Sequence, residues 1–326
     1  MREGIALIAF TGRGRELAER LSTALGGSLQ REKIPATVWA EENFGEREAL
    51  VFVGAVGIAV RTIAPHIRNK AQDPAVVCVD ETGRWAIPIL SGHLGGANSL
   101  ARKIAGITGG EAVITTATDL NGVFAVDLWA KRQGLSVLQP DRIRSVSAKL
   151  LSGEEITVEC AWPVAGDVPE QVREAPDGDV LVSCRNTGTP ALQLVPRILS
   201  LGIGCRRGTD AETLKTAFVR FCAERHILPQ AVEKAATIEL KRDEEGLLAF
   251  CAEAGWPLHF YSAEELRRVE GSFSASAFVE SRVGVDNVCE RAAVLCSGGE
   301  LSENKFAAEG VTFALAERPI CLDWST

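Results

Sequence analysis

The chain has 326 residues, enough for two α/β domains and a small module besides. Hydrophobic residues make up 46% and charged residues 24%, a globular balance that excludes a disordered or low-complexity chain. A formal net charge of -8, with no Lys/Arg block, excludes general nucleic-acid binding, though a few focused arginines can still hold a polyanionic small molecule.

In chain order, a strand over 5–10 passes through Thr11-Gly12-Arg13-Gly14 into a helix over 15–25. This opening lacks the Walker lysine–hydroxyl pair and a full GxGxxG, so it does not support nucleotide binding. A further strand is expected near 37–40. The apolar run 49–53 then feeds the turn from Gly54 to Gly57 and a helix from about 58, which carries Arg61 and breaks near Pro65. Residues 76–80, the turn Glu81-Thr82-Gly83 and residues 85–90 read as strand, turn, strand.

The following turn, Ser91-Gly92-His93-Leu94-Gly95-Gly96-Ala97-Asn98, is the most informative stretch. It sets a hydroxyl, an imidazole and unobstructed backbone N–H groups at the start of a helix reaching 107, and a helix N-terminus attracts carboxylates and phosphates. Strands that end in glycine turns put ligand sites at the carboxyl edge of an α/β sheet. The same glycines also suit tight helix–strand packing. A strand over 112–116 ends in a hydroxyl cluster, Thr115, Thr116 and Thr118, closed by Asp119; a helix over 126–133 stops at Gly134.

Residues 135–189 change in texture, with a helix over 145–151, strands over 156–160 and 180–184, and a Pro/Gly/Asp-rich stretch between the strands. A second α/β run begins with the strand 199–203. Its turn, Gly202-Ile203-Gly204-Cys205-Arg206-Arg207-Gly208-Thr209, enters the helix 210–224. Strands near 236–240, 258–261 and 311–316 and helices over 244–254, 263–269 and 288–295 follow. The expected fold is two open, mostly parallel-sheet α/β domains, 1–134 and 195–326, joined by a small α+β linking module, 135–194.

The turn at 202–208 has GxGxxxG spacing, one residue longer than the dinucleotide fingerprint, and no acidic residue closes a strand at the required distance, which disfavours NAD. Arg206 and Arg207 instead suit a ligand with several carboxylates, each gripped by a guanidinium fork, unless they merely cap a helix and meet solvent. His93 suits acid–base chemistry near neutral pH. Asp119 either orients that imidazole or a water, or caps the segment beyond it. Glu290 and Arg291 read equally well as helix surface, and Lys305 as a solvated side chain.

The nine cysteines, at 78, 160, 184, 205, 222, 251, 289, 296 and 321, contain no CxxC pair, and no two histidines have ligand spacing, so a protein-held metal is not expected. An odd number of scattered thiols favours a reducing compartment. The first ten residues are too short an apolar run for a signal peptide and no segment reaches a membrane span. The expected location is the cytoplasm, with no membrane partner.

Several separate blocks carry a resemblance: 54–61 with Ile63-Ala64-Pro65, Lys70 with Asp73-Pro74-Ala75-Val76, 90–98, 113–119 and 205–209. Further on come Phe278-Val279-Glu280, 283–285, 287–293 and 310–316. In that order they resemble the CbiG family of cobalamin biosynthesis, the cobalt-precorrin-5A hydrolases. The resemblance implies opening of the ring-A acetate δ-lactone of cobalt-precorrin 5A, with the extruded carbon and its methyl leaving as acetaldehyde. Cobalt then arrives inside the substrate, no cofactor is held by the protein, and contacts with other enzymes of the pathway are transient.

Set against that chemistry, the candidate catalytic pair is His93 with Asp119. Candidate substrate contacts in the first half are Gly54, Gly57, Arg61 and Lys70, then Ser91, Gly92, Gly95, Gly96, Asn98 and Thr116. In the second half they are Gly204, Cys205, Arg206, Arg207, Gly208 and Thr209, then Glu280, Glu290, Arg291 and Lys305. The alternative is a non-catalytic carrier of corrinoid intermediates. The region from Gly54 to Asp119 discriminates, because the full-length hydrolases carry it and a short binding relative does not.

Overall fold

The computed structural model describes residues 4–68, 72–93, 95–188 and 191–325, apart from the side chains of Thr118, Asp119 and Phe278. Lys70 and Leu94 lie outside the described residues. The chain divides into two compact units, one running to Lys131 and the other from Glu155 onward; 147–154 belong to the first and 132–146 to the second. Among the described residues no helix is long and apolar enough to cross a membrane.

The first unit is built on six strands, β1 (Ile5–Ala9), β2 (Ser28–Leu29), β3 (Ala49–Val53), β4 (Ala75–Val79), β5 (Trp85–Leu90) and β6 (Glu111–Ala112). Their order is β2-β1-β3-β4-β5-β6. The β4–β5 pair is antiparallel and the others are parallel. Every residue of β3 and β4 is buried, because both faces are covered, and this is why they read as unbroken apolar runs. Leu7, Val51, Val53, Val77 and Val79 face α1 (Gly12–Leu25) and α4 (Ala97–Thr108). Ile8, Leu50, Phe52, Val76 and Cys78 face α2 (Ala36–Asn43) and α3 (Val56–Ile63). Short helices α5 (Ala117–Asn121) and α6 (Val126–Arg132) follow.

The strand expected near 37–40 is instead α2. Its β-forming Thr37-Val38-Trp39 is overruled by packing: Trp39, Ala40 and Phe44 are buried, and Trp39 meets the edge of Phe52 at 5.1 Å.

In the second unit β7 (Leu135–Val137), α7 (Ile143–Leu151), which straddles the division, and β8 (Ile156–Cys160) are followed by β9 (Val164–Ala165), β10 (Val172–Glu174), β11 (Val180–Val182) and β12 (Leu192–Pro196). A sheet β10-β8-β11-β12-β7 results, antiparallel only at β12–β7.

The last stretch contains β13 (Leu199–Cys205), α8 (Ala211–Arg225), β14 (Val232–Ile238), α9 (Glu245–Glu253), β15 (Leu258–Tyr261) and α10 (Ala263–Arg267). It ends with α11 (Ala277–Val283), α12 (Cys289–Ser297), β16 (Glu300–Ala308), β17 (Val311–Glu317) and β18 (Leu322–Asp323). Its sheet, β15-β14-β13-β17-β16, is parallel on the β13–β15 side and antiparallel toward β16. Phe218, Phe221, Phe250 and Phe313 fill the α8–α9 face, while Ala292 and Cys296 of α12 pack over Ala236 and Ile238 on the other. A Cβ on Gly202 would collide with the Cys289 carbonyl, so glycine is what lets α12 lie directly on β13. The mixed α/β fold with mostly parallel sheets is as the sequence indicates.

Candidate functional site

In the first unit the reversal of β5 decides the layout. Leu90 pairs with Val76 near the start of β4, whereas the Gly54 N–H bonds to the Val79 carbonyl at its end. The 91–98 turn and the 54–57 turn therefore sit at opposite edges of the sheet, a five-residue strand (roughly 17 Å) apart. A single ligand corner at the carboxyl edge, as the glycine turns suggested, is not what this unit presents. Gly57 and Arg61 are exposed on α3 and are not brought to the His93 turn.

The described residues of the 91–98 turn make several of their hydrogen bonds within the protein. Ser91 adopts φ 57° and donates its hydroxyl to the Asp73 carbonyl at 3.0 Å. The amides of Gly96, Ala97 and Asn98 donate to the carbonyls of His93, Ser91 and Gly92 at 2.9, 3.1 and 3.0 Å. Those three donors are consumed within the turn and are not offered to a ligand there. Gly92 and Gly95 serve packing: a Cβ would press on the Asn98 amide in one case and collide with Ser91 in the other. Asn98, buried, donates Nδ2 to the Thr116 hydroxyl at 2.9 Å, joining the turn to the hydroxyl cluster.

His93 sits in this frame with Nδ1 3.8 Å from Asp127 Oδ2, too long for a hydrogen bond but within reach of an ion pair. The Asp119 side chain lies outside the described residues. Asp127 was missed in the sequence because nothing local connects the start of α6 to a turn 34 residues upstream.

In the second unit the carboxyl ends of β13 and β14 open on a cavity of about 1000 Å³. Gly204, Cys205, Arg206, Arg207 and Lys305, all candidate substrate contacts in the sequence, line it. Lys241, Glu244 and Arg282 do so as well, although no sequence signal singled them out. Ile238, Leu240, Val279, Val283 and Val288 supply apolar wall. Glu239 and Asp243 line it too, so five cations stand against three carboxylates; that excess and the apolar wall suit a large flat ligand edged with carboxylates.

Here too two backbone donors of the turn are occupied. The Arg206 N–H meets the Gly310 carbonyl at 3.2 Å, and the Gly208 N–H meets Glu244 Oε2 at 2.7 Å. Lys241 pairs with the same carboxylate at 3.0 Å. Burial works against the charge on Glu244, yet the Gly208 amide, Lys241 and Arg207 hold its carboxyl below the usual glutamate value. Burial pushes the Cys205 thiol up and the Cys289 thiol up to about 11, which disfavours their thiolate forms. Thr209 lines an adjoining cavity beyond Arg207 and bonds back to the Arg206 carbonyl at 2.8 Å.

Two expected contacts belong to packing instead. Glu290 is fully buried. Arg291 pairs with Asp286 at 2.8 Å, donates to the Val269 carbonyl at 2.8 Å and covers the Phe273 ring. Glu280 is exposed on α11. Among the described residues no group of three or more His, Cys, Asp or Glu could hold a metal ion.

Comparison with known proteins adds the following. Residues 38–119 match the family described as Cobalamin synthesis G N-terminal, and residues 199–316 match Cobalamin synthesis G C-terminus. The cobalt-precorrin-5A hydrolase of Salmonella typhimurium is 36% identical over 96% of this chain and 97% of its own length. That of Priestia megaterium is 33% identical over 85% of this chain and 80% of its own. Protein CobE of a Sinorhizobium species is 32% identical over 36% of this chain and 79% of its own length.

Proposed function

The chain belongs to the CbiG family of cobalt-precorrin-5A hydrolases, enzymes of cobalamin biosynthesis, and from that premise we propose that it opens the ring-A δ-lactone of cobalt-precorrin 5A and releases acetaldehyde. The observation that carries this reading is the cation-lined cavity at the carboxyl edge of β13 and β14. Arg206, Arg207 and Lys305 take peripheral carboxylates of the ring, the guanidinium groups as bidentate forks, and the apolar wall takes the face of the macrocycle. Cobalt enters as part of the substrate.

The chemistry needs proton transfers. Water adds to the lactone carbonyl, the acyl–oxygen bond breaks and the freed alkoxide is protonated. When that hydroxyl gives up its proton, the bond to the ring breaks, its electron pair stays on the ring carbon, and the two-carbon fragment leaves as acetaldehyde. We assign these transfers to His93, supported by the Asp127 carboxylate on its Nδ1 side. Asp119 remains a proposed helper of that imidazole. The nine free thiols support action in a reducing cytoplasm.

The test is anaerobic incubation with cobalt-precorrin 5A and chemical trapping of the aldehyde. One acetaldehyde per ring opened supports the reading. Saturable binding of the ring without aldehyde would make the protein a carrier.

A further inference from the structure

Glu290 has no exposed surface, and the reaction above does not use it. Four protein donors converge on its two oxygens. Oε1 accepts from the Ser274 hydroxyl at 2.9 Å and the Lys305 backbone N–H at 2.7 Å. Oε2 accepts from the Ser274 N–H and from Asn287 Nδ2, both at 2.7 Å. The Glu290 N–H in turn donates to Asn287 Oδ1 at 2.9 Å. An acceptor-only side chain is tolerated at such depth because donors alone surround it.

The origin of those donors matters. In β16, Glu303 pairs with Leu315 but Phe306 pairs with Phe313, so β16 carries one more residue than β17 between these pairs. A bulge of this kind frees an N–H from the ladder and re-aims a side chain. Here Glu290 takes the Lys305 N–H, while Lys305 lines the cavity of about 1000 Å³. Asn287 lines the same cavity, and Ser274 anchors the chain that leads into α11, whose Val279 and Arg282 form more of the wall.

We infer that Glu290 is a positioning residue: by holding the Lys305 amide at the β16 bulge, it fixes the Lys305 ammonium where it meets a peripheral carboxylate of the tetrapyrrole. The inference rests on the reading that this cavity holds the substrate. Glu290 acts through Lys305 and never touches the ring. Gln is a poor substitute, because its amide N–H groups face donors on one side.

A double-mutant cycle on the full chain tests it, with KM and kcat for cobalt-precorrin 5A measured anaerobically. Lys305→Met is expected to raise KM about tenfold, with kcat within about threefold, and Glu290→Gln to do nearly the same. Together they should exceed the worse single variant by no more than about threefold. If Glu290→Gln does not fold, Ser274→Ala removes one of the four donors. Its smaller rise in KM, about threefold, should vanish once Lys305 is replaced. Multiplying effects, or an unchanged KM for Lys305→Met, overturn the inference while normal wild-type turnover leaves the proposed function standing. Failure of the wild type to bind or turn over the ring overturns both.

Discussion

The two glycine turns, 91–98 in the first unit and 204–209 in the second, look alike in sequence and share one property. In each, some amides bond to the protein itself, those of Gly96, Ala97 and Asn98 to the His93, Ser91 and Gly92 carbonyls in one, and those of Arg206 and Gly208 to Gly310 and Glu244 in the other. They differ in what the side chains then do. The first turns inward, with Ser91, Asn98 and Thr116 bonded to the protein and His93 alongside Asp127. The second carries Arg206 and Arg207 to the wall of a large cavity. A glycine turn before a helix is thus no evidence that backbone N–H groups face a ligand. In this protein the first turn carries one imidazole beside a carboxylate, and the second carries cations to a cavity wall.

The sharpest way to break that contrast is His93→Ala. We expect kcat for acetaldehyde release to fall by about 10²–10⁴-fold, with KM changed by less than about threefold. A KM effect without loss of kcat would make the first turn a binding element like the second. Next in size is the stability of the turns themselves. In Gly95→Ala the new methyl meets Ser91, and the cost should be about 3 kcal/mol. Gly208→Ala meets open space at φ 74°, and about 1 kcal/mol is expected. Urea midpoints of the two variants measure the difference, and equal midpoints would contradict the distinction between an inward and an open turn.

The smallest effect concerns acid. Glu244 has a lowered carboxyl in the folded state, so its contribution is fully present above the pH at which an unfolded glutamate titrates and is lost as pH falls through the folded value. Melting temperature should therefore fall more between about pH 5 and pH 3 in the wild type than in Glu244→Gln, the variant being about 1 kcal/mol less stable at pH 7. Parallel pH profiles would remove Glu244 from the support of the second turn.

Much of this was legible in the sequence. The runs that became β3 and β4 were unmistakable because both faces are buried, and Arg206 and Arg207 stand out by charge beside a turn. Other features depended on contacts distant in sequence. Asp127 meets His93 only after β6 and α5 have been folded between them. Glu290 looks like helix surface until Ser274, Asn287 and Lys305 close around it. The strand β16 escaped notice because two register shifts break its alternation and leave the polar run Ser302-Glu303-Asn304-Lys305. The edge occupied by the 91–98 turn followed from the β4–β5 hairpin, yet its consequence, that the turn faces away from Gly54, shows only in the register.

The central point is where the ring is held. Anaerobic spectral titration of cobalt-precorrin 5A into the wild type and into the double variant Arg206→Met with Arg207→Met measures this. We expect affinity to drop by about 30-fold or more, and the wild type's binding to weaken more steeply with added salt. Equal affinities and equal salt slopes would contradict the claim that this cavity receives the substrate.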